Sequence, residues 1–243
     1  MYRHYIILSS SYSQGMRIGI HYLLDDEIDP KWIMEDIDKI REVCGDTVSI
    51  STHFIETESP EWMSVVQKDA FFADVYIVQT LGEFIGLISD DRTLRGTDIA
   101  KYILSKISCT HLKLEKLVYL CYAEYLCKTD KRLFDDKIYA FKYGPVVETV
   151  YEKYRGSSEK LEFDIDDKYE EMPIRSRILF AEDGICKVDV IEQILHKYGA
   201  YTVGALVDMT HKPNSPWDCA DKSEMYSTIS DDLIRSHHCF EVS

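Results

Sequence analysis

The chain has 243 residues, 45% hydrophobic and 29% charged, enough for one large globular core or two modest ones. Its net charge of −15 is shared: 17 acids and 8 bases fall in residues 1–95, and 26 acids and 20 bases in residues 96–243. Neither half carries the basic excess that a phosphate backbone demands, which argues against nucleic-acid binding. No apolar run approaches the roughly 18 residues of a membrane span, and the start, "MYRHYIILSSSYSQG", lacks a signal-peptide pattern. The seven cysteines are scattered, with no C-x-x-C pair, and read as free thiols in a reducing cytoplasm.

In chain order, "HYIILSS" and "RIGIHYLL" are β-rich runs around a Ser/Gln/Gly turn, a hairpin pattern. "DPKWIMEDIDKIREVCG" opens with Asp29 and Pro30 as cap and first-turn residues, carries Ile33, Ile37 and Ile40 on one face, and stops at Gly45. "TVSISTHFIE" alternates as a third strand, and "SPEWMSVVQKDAFFA" begins as a helix at Ser59-Pro60-Glu61. "VYIVQT" and "EFIGLIS", split by Leu-Gly, read as two further strands. The expectation is α+β: a small mixed α/β domain over residues 1–95, ended by the polar segment "SDDRTLRGTD", and a mainly helical domain over 96–243.

Past that boundary the period becomes helical. Thr97 is placed to cap "DIAKYILSKI" and Thr110 to cap "HLKLEKLVYLCYAEYLC", whose Leu114, Leu117, Val118, Cys121, Tyr122 and Tyr125 form a broad apolar stripe. In "FKYGPVVETVY" Pro145 suits a first helical turn and Gly144 the cap before it, so the stretch reads as a helix entrance running on to a stop at Gly156. "SSEKLEFDIDDKYEEM" reads as an exposed acidic excursion. "CKVDVIEQILHKYG", "TVGALVDMTH" and a segment near Ser230–His238 complete the helices.

Candidate chemistry is sparse. Neither nucleotide fingerprint is present. The turn "SSSYSQG" has the composition to cradle an anion or to serve as a plain hairpin loop. "DDEID" lacks the spacing of a calcium loop, and His53 and Glu56 fall on opposite faces of their strand. His237, His238 and Cys239, adjacent on a helix, point different ways. No metal site, cofactor, catalytic residue or enzymatic activity is expected. "MTHKPNSPWDCA" leaves two roles open for Trp217: a plug in the helical core, or a recognition surface shared with His211.

Taken as a set, "DIAKYIL", "LKLEKLVYLCYAEYL", "RLFDDKIYAFKYGPVVETVYEKY", "ILHKYGAYTVGALVDMTH" and "SPWDCA" make residues about 97–238 resemble the Panacea domain, the SocA-like antitoxin domain of phage-associated proteins. The pattern falls on Leu114, Lys116, Leu117, Tyr119, Leu133, Phe134, Ala140, Tyr143, Gly144, Pro145, Val146, Tyr151, Leu206, Thr210, His211, Pro216 and Trp217. Phe141 stands where many members have Trp, and Glu115 where Gln is usual. The resemblance implies a mainly helical antitoxin of bacterial and phage toxin–antitoxin pairs, which neutralises its toxin by direct contact; one branch delivers the toxin to a protease. Lys116, Tyr119, Lys142, Tyr143, His211 and Trp217 are the expected partner-binding residues. Phe134, Gly144, Pro145, Thr210 and Pro216 are the expected structural ones.

The acidic chain fits a basic toxin, with a protease or chaperone as a further partner. The competing readings make residues 1–95 an enzyme or nucleotide sensor regulated in cis, or a transcriptional self-regulator. The first would need convergent polar groups in an apolar pocket. A net charge of −9 and no helix-turn-helix count against the second.

Overall fold

Residues 1–24, 31–156, 160–161, 171–221 and 227–242 are described by the computed structural model. The chain divides into two compact units, Met1–Arg92 and Thr93–Ser243. The first is mixed α/β and the second mostly helical, as the change of period predicts.

In the first unit β1 (Tyr2–Ser11) and β2 (Met16–Leu24) form the expected hairpin, closed by the Ser11–Met16 pair. α1 (Lys31–Cys44) follows; its expected cap at Asp29-Pro30 and the "DDEID" run begin in residues 25–30, which lie outside the described residues. β3 (Ser51–Thr57) pairs antiparallel with β1. After α2 (Trp62–Lys68) and a 3-10 turn (Ala70–Phe72), β4 (Val75–Val78) runs parallel to β2, giving the order β3-β1-β2-β4.

Alternation along β1 splits the core in two. Tyr5 and Ile7 join Ile18, Ile20 and the buried faces of α1 and a further helix on one side of the sheet. Ile6 and Leu8 join Val65, Phe72 and Val75 on the other.

That further helix, α3 (Leu81–Arg92), corrects the expectation of a strand at "EFIGLIS". Leu81-Gly82 suggests a turn before a strand, but the helix is set by its entrance. Thr80 Oγ1 accepts from the Glu83 backbone N–H (3.1 Å), and Glu83 reaches back to the Gln79 N–H (2.9 Å), a close variant of the capping box. Phe84 and Ile88, four apart, then bury one face. α3 also settles the serine-rich turn. Its Asp91 carboxylate accepts from Ser11 Oγ (2.7 Å) and the N–H groups of Tyr12 (2.8 Å) and Ser13 (3.0 Å), so the chain fills that cradle with its own anion.

In the second unit α4 (Gly96–Lys106) starts one residue before the predicted Thr97 cap; the Asp98 carboxylate takes the Arg95 N–H instead (2.9 Å). α5 (His111–Thr129) is capped by Thr110 as predicted and is buried on nearly every face. Around it stand α6 (Glu148–Tyr154), α7 (Glu171–Phe180), α8 (Gly184–Tyr198), α9 (Val203–Thr210), α10 (Pro216–Cys219) and α11 (Asp231–Val242). The acidic excursion falls mostly on residues 157–159 and 162–170, outside the described residues.

"FKYGPVV" is the second correction. It is a β-hairpin, β5 (Ile138–Phe141) with β6 (Gly144–Val147), and the helix begins only at Glu148. Gly144 has φ 102°, outside the extended conformation a helix cap needs, and β-branched Val146 and Val147 favour a strand.

Two outcomes follow from these units. Residues 93–243 expressed alone should show the helical circular dichroism and cooperative melt of a folded domain; an unfolded fragment would contradict their independence. In the first unit His4 Nδ1 lies 2.7 Å from His21 Nε2, and His4 Nε2 lies 2.8 Å from Thr57 Oγ1. Burial, then the neighbouring His4, pulls His21 down to about 4 from 6.5; burial also lowers His4. The unfolded chain therefore binds more protons, so stability of this unit should fall as pH drops from 6.5 through about 4. His21→Gln should flatten that slope in urea melts taken across the same range.

Candidate interaction site

Two adjacent side chains of α5 hold the hairpin from beneath. Lys116 Nζ donates to the Pro145 carbonyl (2.6 Å), and Glu115 Oε2 accepts from the Val147 N–H (3.1 Å). Residues two apart in a strand present their backbone groups to the same edge. Lys116 and Glu115 thus occupy the edge of β6 that faces away from β5, one donating and one accepting as a neighbouring strand would. Proline fits at that edge because an N–H at position 145 would point at the ammonium. The opposite edge of β5 is closed by residues 227–229: Ala140 N–H donates to Ser227 O and Ile229 N–H to Ile138 O, both at 2.8 Å.

Gly144 lets the hairpin approach this closely. A Cβ there would sit 2.8 Å from Thr210 Oγ1 and 3.0 Å from Lys116 Cε. Its φ of 102° also takes the positive dihedral that closes the two-residue loop, Lys142–Tyr143.

The loop is propped by the α9–α10 corner. His211 Nδ1 donates to the Val207 carbonyl (2.7 Å), and its Nε2 lies 3.3 Å from the Lys142 carbonyl. Trp217 packs on His211 with ring centroids 3.7 Å apart, and its indole N–H donates to the Phe141 carbonyl (2.7 Å). Ser215 caps α10 by accepting from the Asp218 N–H (3.1 Å), with Pro216 as its buried first residue. The Ser-Pro pair therefore turns the chain and aims Trp217 in one step. Half-buried Trp217 packs against the main core, as the first of the two roles left open above requires, and its indole supports the loop.

The expected site residues divide accordingly. Lys142, Tyr143, Gly144, Pro145, Thr210, His211, Pro216 and Trp217 gather at the hairpin and its prop. Phe134 lies elsewhere, buried against Tyr122 with ring centroids 4.8 Å apart. Lys116 and Tyr119 require correction as contact residues, since both are fully buried and no partner reaches them while α5 stays packed. Their role is internal.

Tyr119 OH donates to Glu241 at 3.0 Å, His238 Nδ1 donates to the same carboxylate at 2.8 Å, and His238 Nε2 stands 3.5 Å from Glu124. α11 is thereby docked on α5 by buried polar groups. Burial pushes Glu115 up to about 7 and pulls Lys116 down, against the attraction each exerts on the other. Burial, with Glu241 beside it, holds the Tyr119 hydroxyl well above the phenol range, so it stays a donor. Burial would lower His238, but the carboxylates of Glu124 and Glu241 beside it prevail and raise it.

Sequence reasoning missed Glu241 and His238 as members of this network. The available signal was the adjacent pair Glu115-Lys116 beside the broad apolar stripe of α5, where burial obliges the fold to supply polar partners. His237 is half-buried, with Nδ1 3.0 Å from Asn214 O, and diverges from His238 as expected. Among the described residues no group of three or more His, Cys, Asp or Glu is arranged to hold a metal, and no helix is long and apolar enough to cross a membrane.

What the hairpin offers outward is its loop. Tyr143 is 58% exposed, and the Lys142 ammonium lies 5.5 Å from its ring centroid. Behind it Phe141 meets Tyr151 edge-on at 5.0 Å. The surface is an amphipathic aromatic with a cation beside it on a rigid support, suited to protein recognition.

If the support is as described, Gly144→Ala should destabilise by more than about 1 kcal/mol, through both the contact and the positive φ. Lys116→Ala should cost about 2 kcal/mol or more, since it opens a cavity and strands the Pro145 carbonyl. Thermal melts of residues near the hairpin and of the whole chain would read both.

Residues 114–218, from α5 through the hairpin to α10, match the family described as antitoxin SocA-like, Panacea domain. Residues 1–113 lie outside that match. No curated protein and no solved structure matches the chain.

Proposed function

We propose that this protein is an antitoxin-like inhibitor that binds a toxin protein through the Lys142–Tyr143 loop. The observation that carries the reading is the convergence of the family-matched residues on one exposed tyrosine. Gly144, Pro145, Thr210, His211, Pro216 and Trp217 all serve to place that loop, while Tyr143 itself stays 58% exposed. A core residue would be covered; a catalytic one would be paired with a base or an oxyanion donor. Tyr143 is neither. The net charge of −15 makes a basic toxin the complementary partner, and the first unit adds specificity or regulation.

The test pairs the protein with a small, basic, growth-arresting protein encoded beside it. Tyr143→Ala should weaken the complex by about 2 kcal/mol, roughly thirtyfold in Kd, with an unchanged melting temperature. Trp217→Ala should lower the melting temperature, because it removes core packing and the prop together. The association rate should fall as salt shortens the Debye length towards about 8 Å at physiological ionic strength. Should Tyr143→Ala melt early, or bind and protect cells as the wild type does, the loop is not the contact.

A further inference from the structure

A feature of the molecule without an assigned use is the outer edge of the first sheet. β3 is an edge strand in the order β3-β1-β2-β4. The Lys68 ammonium donates to the Glu56 carbonyl, so that carbonyl points away from β1. Backbone groups alternate in direction along a strand, so those of Phe54 and Thr52 point outward as well. Among the described residues no hydrogen bond closes the outward backbone groups of Thr52 and Phe54. Between Ser51 and Ile55 the edge has no proline, no bulge and no charged side chain, the usual means by which edges are protected. Phe54 is 66% exposed at its centre. The edge also borders a groove of about 510 Å³ lined by Arg3, Phe54, Ile55, Glu56, Lys68 and Asp69.

We propose that two copies of this chain pair antiparallel through β3, about a two-fold axis passing between their Phe54 residues, to make one continuous sheet. The occupant is chosen by self-complementarity. Centring the axis on Phe54 sets Phe54 opposite Phe54, Thr52 opposite Glu56, and His53 opposite Ile55. No like charges face each other, and the most exposed aromatic of the strand is buried against its own copy. Phe54 N–H and C=O point outward together, so the two central residues exchange both hydrogen bonds. Glu56 of each copy then offers its N–H to Thr52 of the other. The Glu56 carbonyl becomes available to the Thr52 N–H as Lys68 releases it, which makes Lys68 a brake on pairing.

Light scattering on the full chain, from about 1 to about 100 μM, reads the outcome in this affinity range. The wild type should pass from monomer to dimer across the series. Phe54→Arg sets like charges across the axis and should leave the chain monomeric throughout, with unchanged circular dichroism. Lys68→Met removes the brake and should tighten the dimer about tenfold. Should Phe54→Arg fail to fold, Lys68→Met decides alone: a tighter dimer supports the pairing, an unchanged one overturns it. A wild type monomeric at every concentration assigns the edge to another occupant. A dimer that survives Phe54→Arg lies on another surface. Either result overturns the proposal.

Discussion

The lysine inside α5 is the constraint on which the second unit is organised. An ammonium with no solvent contact must be met by oxygen, and the nearest supply is the backbone of β6. Lys116 therefore fixes the distance between helix and hairpin, and Glu115 fixes the register by holding Val147 two residues on. Everything placed on β6 inherits that position. Glycine is required where the strand meets Lys116 and Thr210, and proline is tolerated where an N–H would face a cation. The loop beyond them gains a defined direction without contributing to the core.

The same burial carries an electrostatic cost that the surroundings offset only in part. Among the described residues Glu115 Oε1 has no hydrogen-bond partner, and burial raises its carboxyl towards about 7. A glutamine at this position would accept the same Val147 bond with no charge to desolvate. Glu115 adds instead a countercharge for Lys116. The gain is attraction in a medium of low dielectric, and the cost is a carboxylate removed from water. Glu241, held by Tyr119 and His238, shares the task from α11. The C-terminal helix is thus tied electrostatically to the element that supports the hairpin.

Much of this was legible in the sequence where period and caps agreed. The hairpin of β1 and β2, the stripe of α1, the Thr110 cap of α5 and the helical character beyond residue 96 all follow from local pattern. The failures share one cause, in that glycine and proline were read through a single local role. Leu81-Gly82 suggests a turn at the start of α3, while Thr80 and Glu83 specify a helix start. Gly144-Pro145 suggested a helix entrance, whereas its conformation answers to Lys116, 29 positions earlier in the chain. Such tertiary demands leave no local period. Burial divides the residues expected at the site into a loop that faces outward and a lysine and tyrosine that cannot.

The two sheet edges show the same chemistry used to different ends. At β6 a lysine donates to a strand carbonyl, and at β3 another lysine does so too. Lys116 is buried, its position enforced by α5, and a neighbouring glutamate takes the strand's N–H, so that edge is completed. Lys68 is exposed, and among the described residues no acceptor meets the N–H groups of Thr52 and Phe54 beside it. An exposed ammonium exchanges its carbonyl for water at little cost, whereas a buried one has no such alternative. The first edge is therefore permanent structure, and the second remains open to another strand.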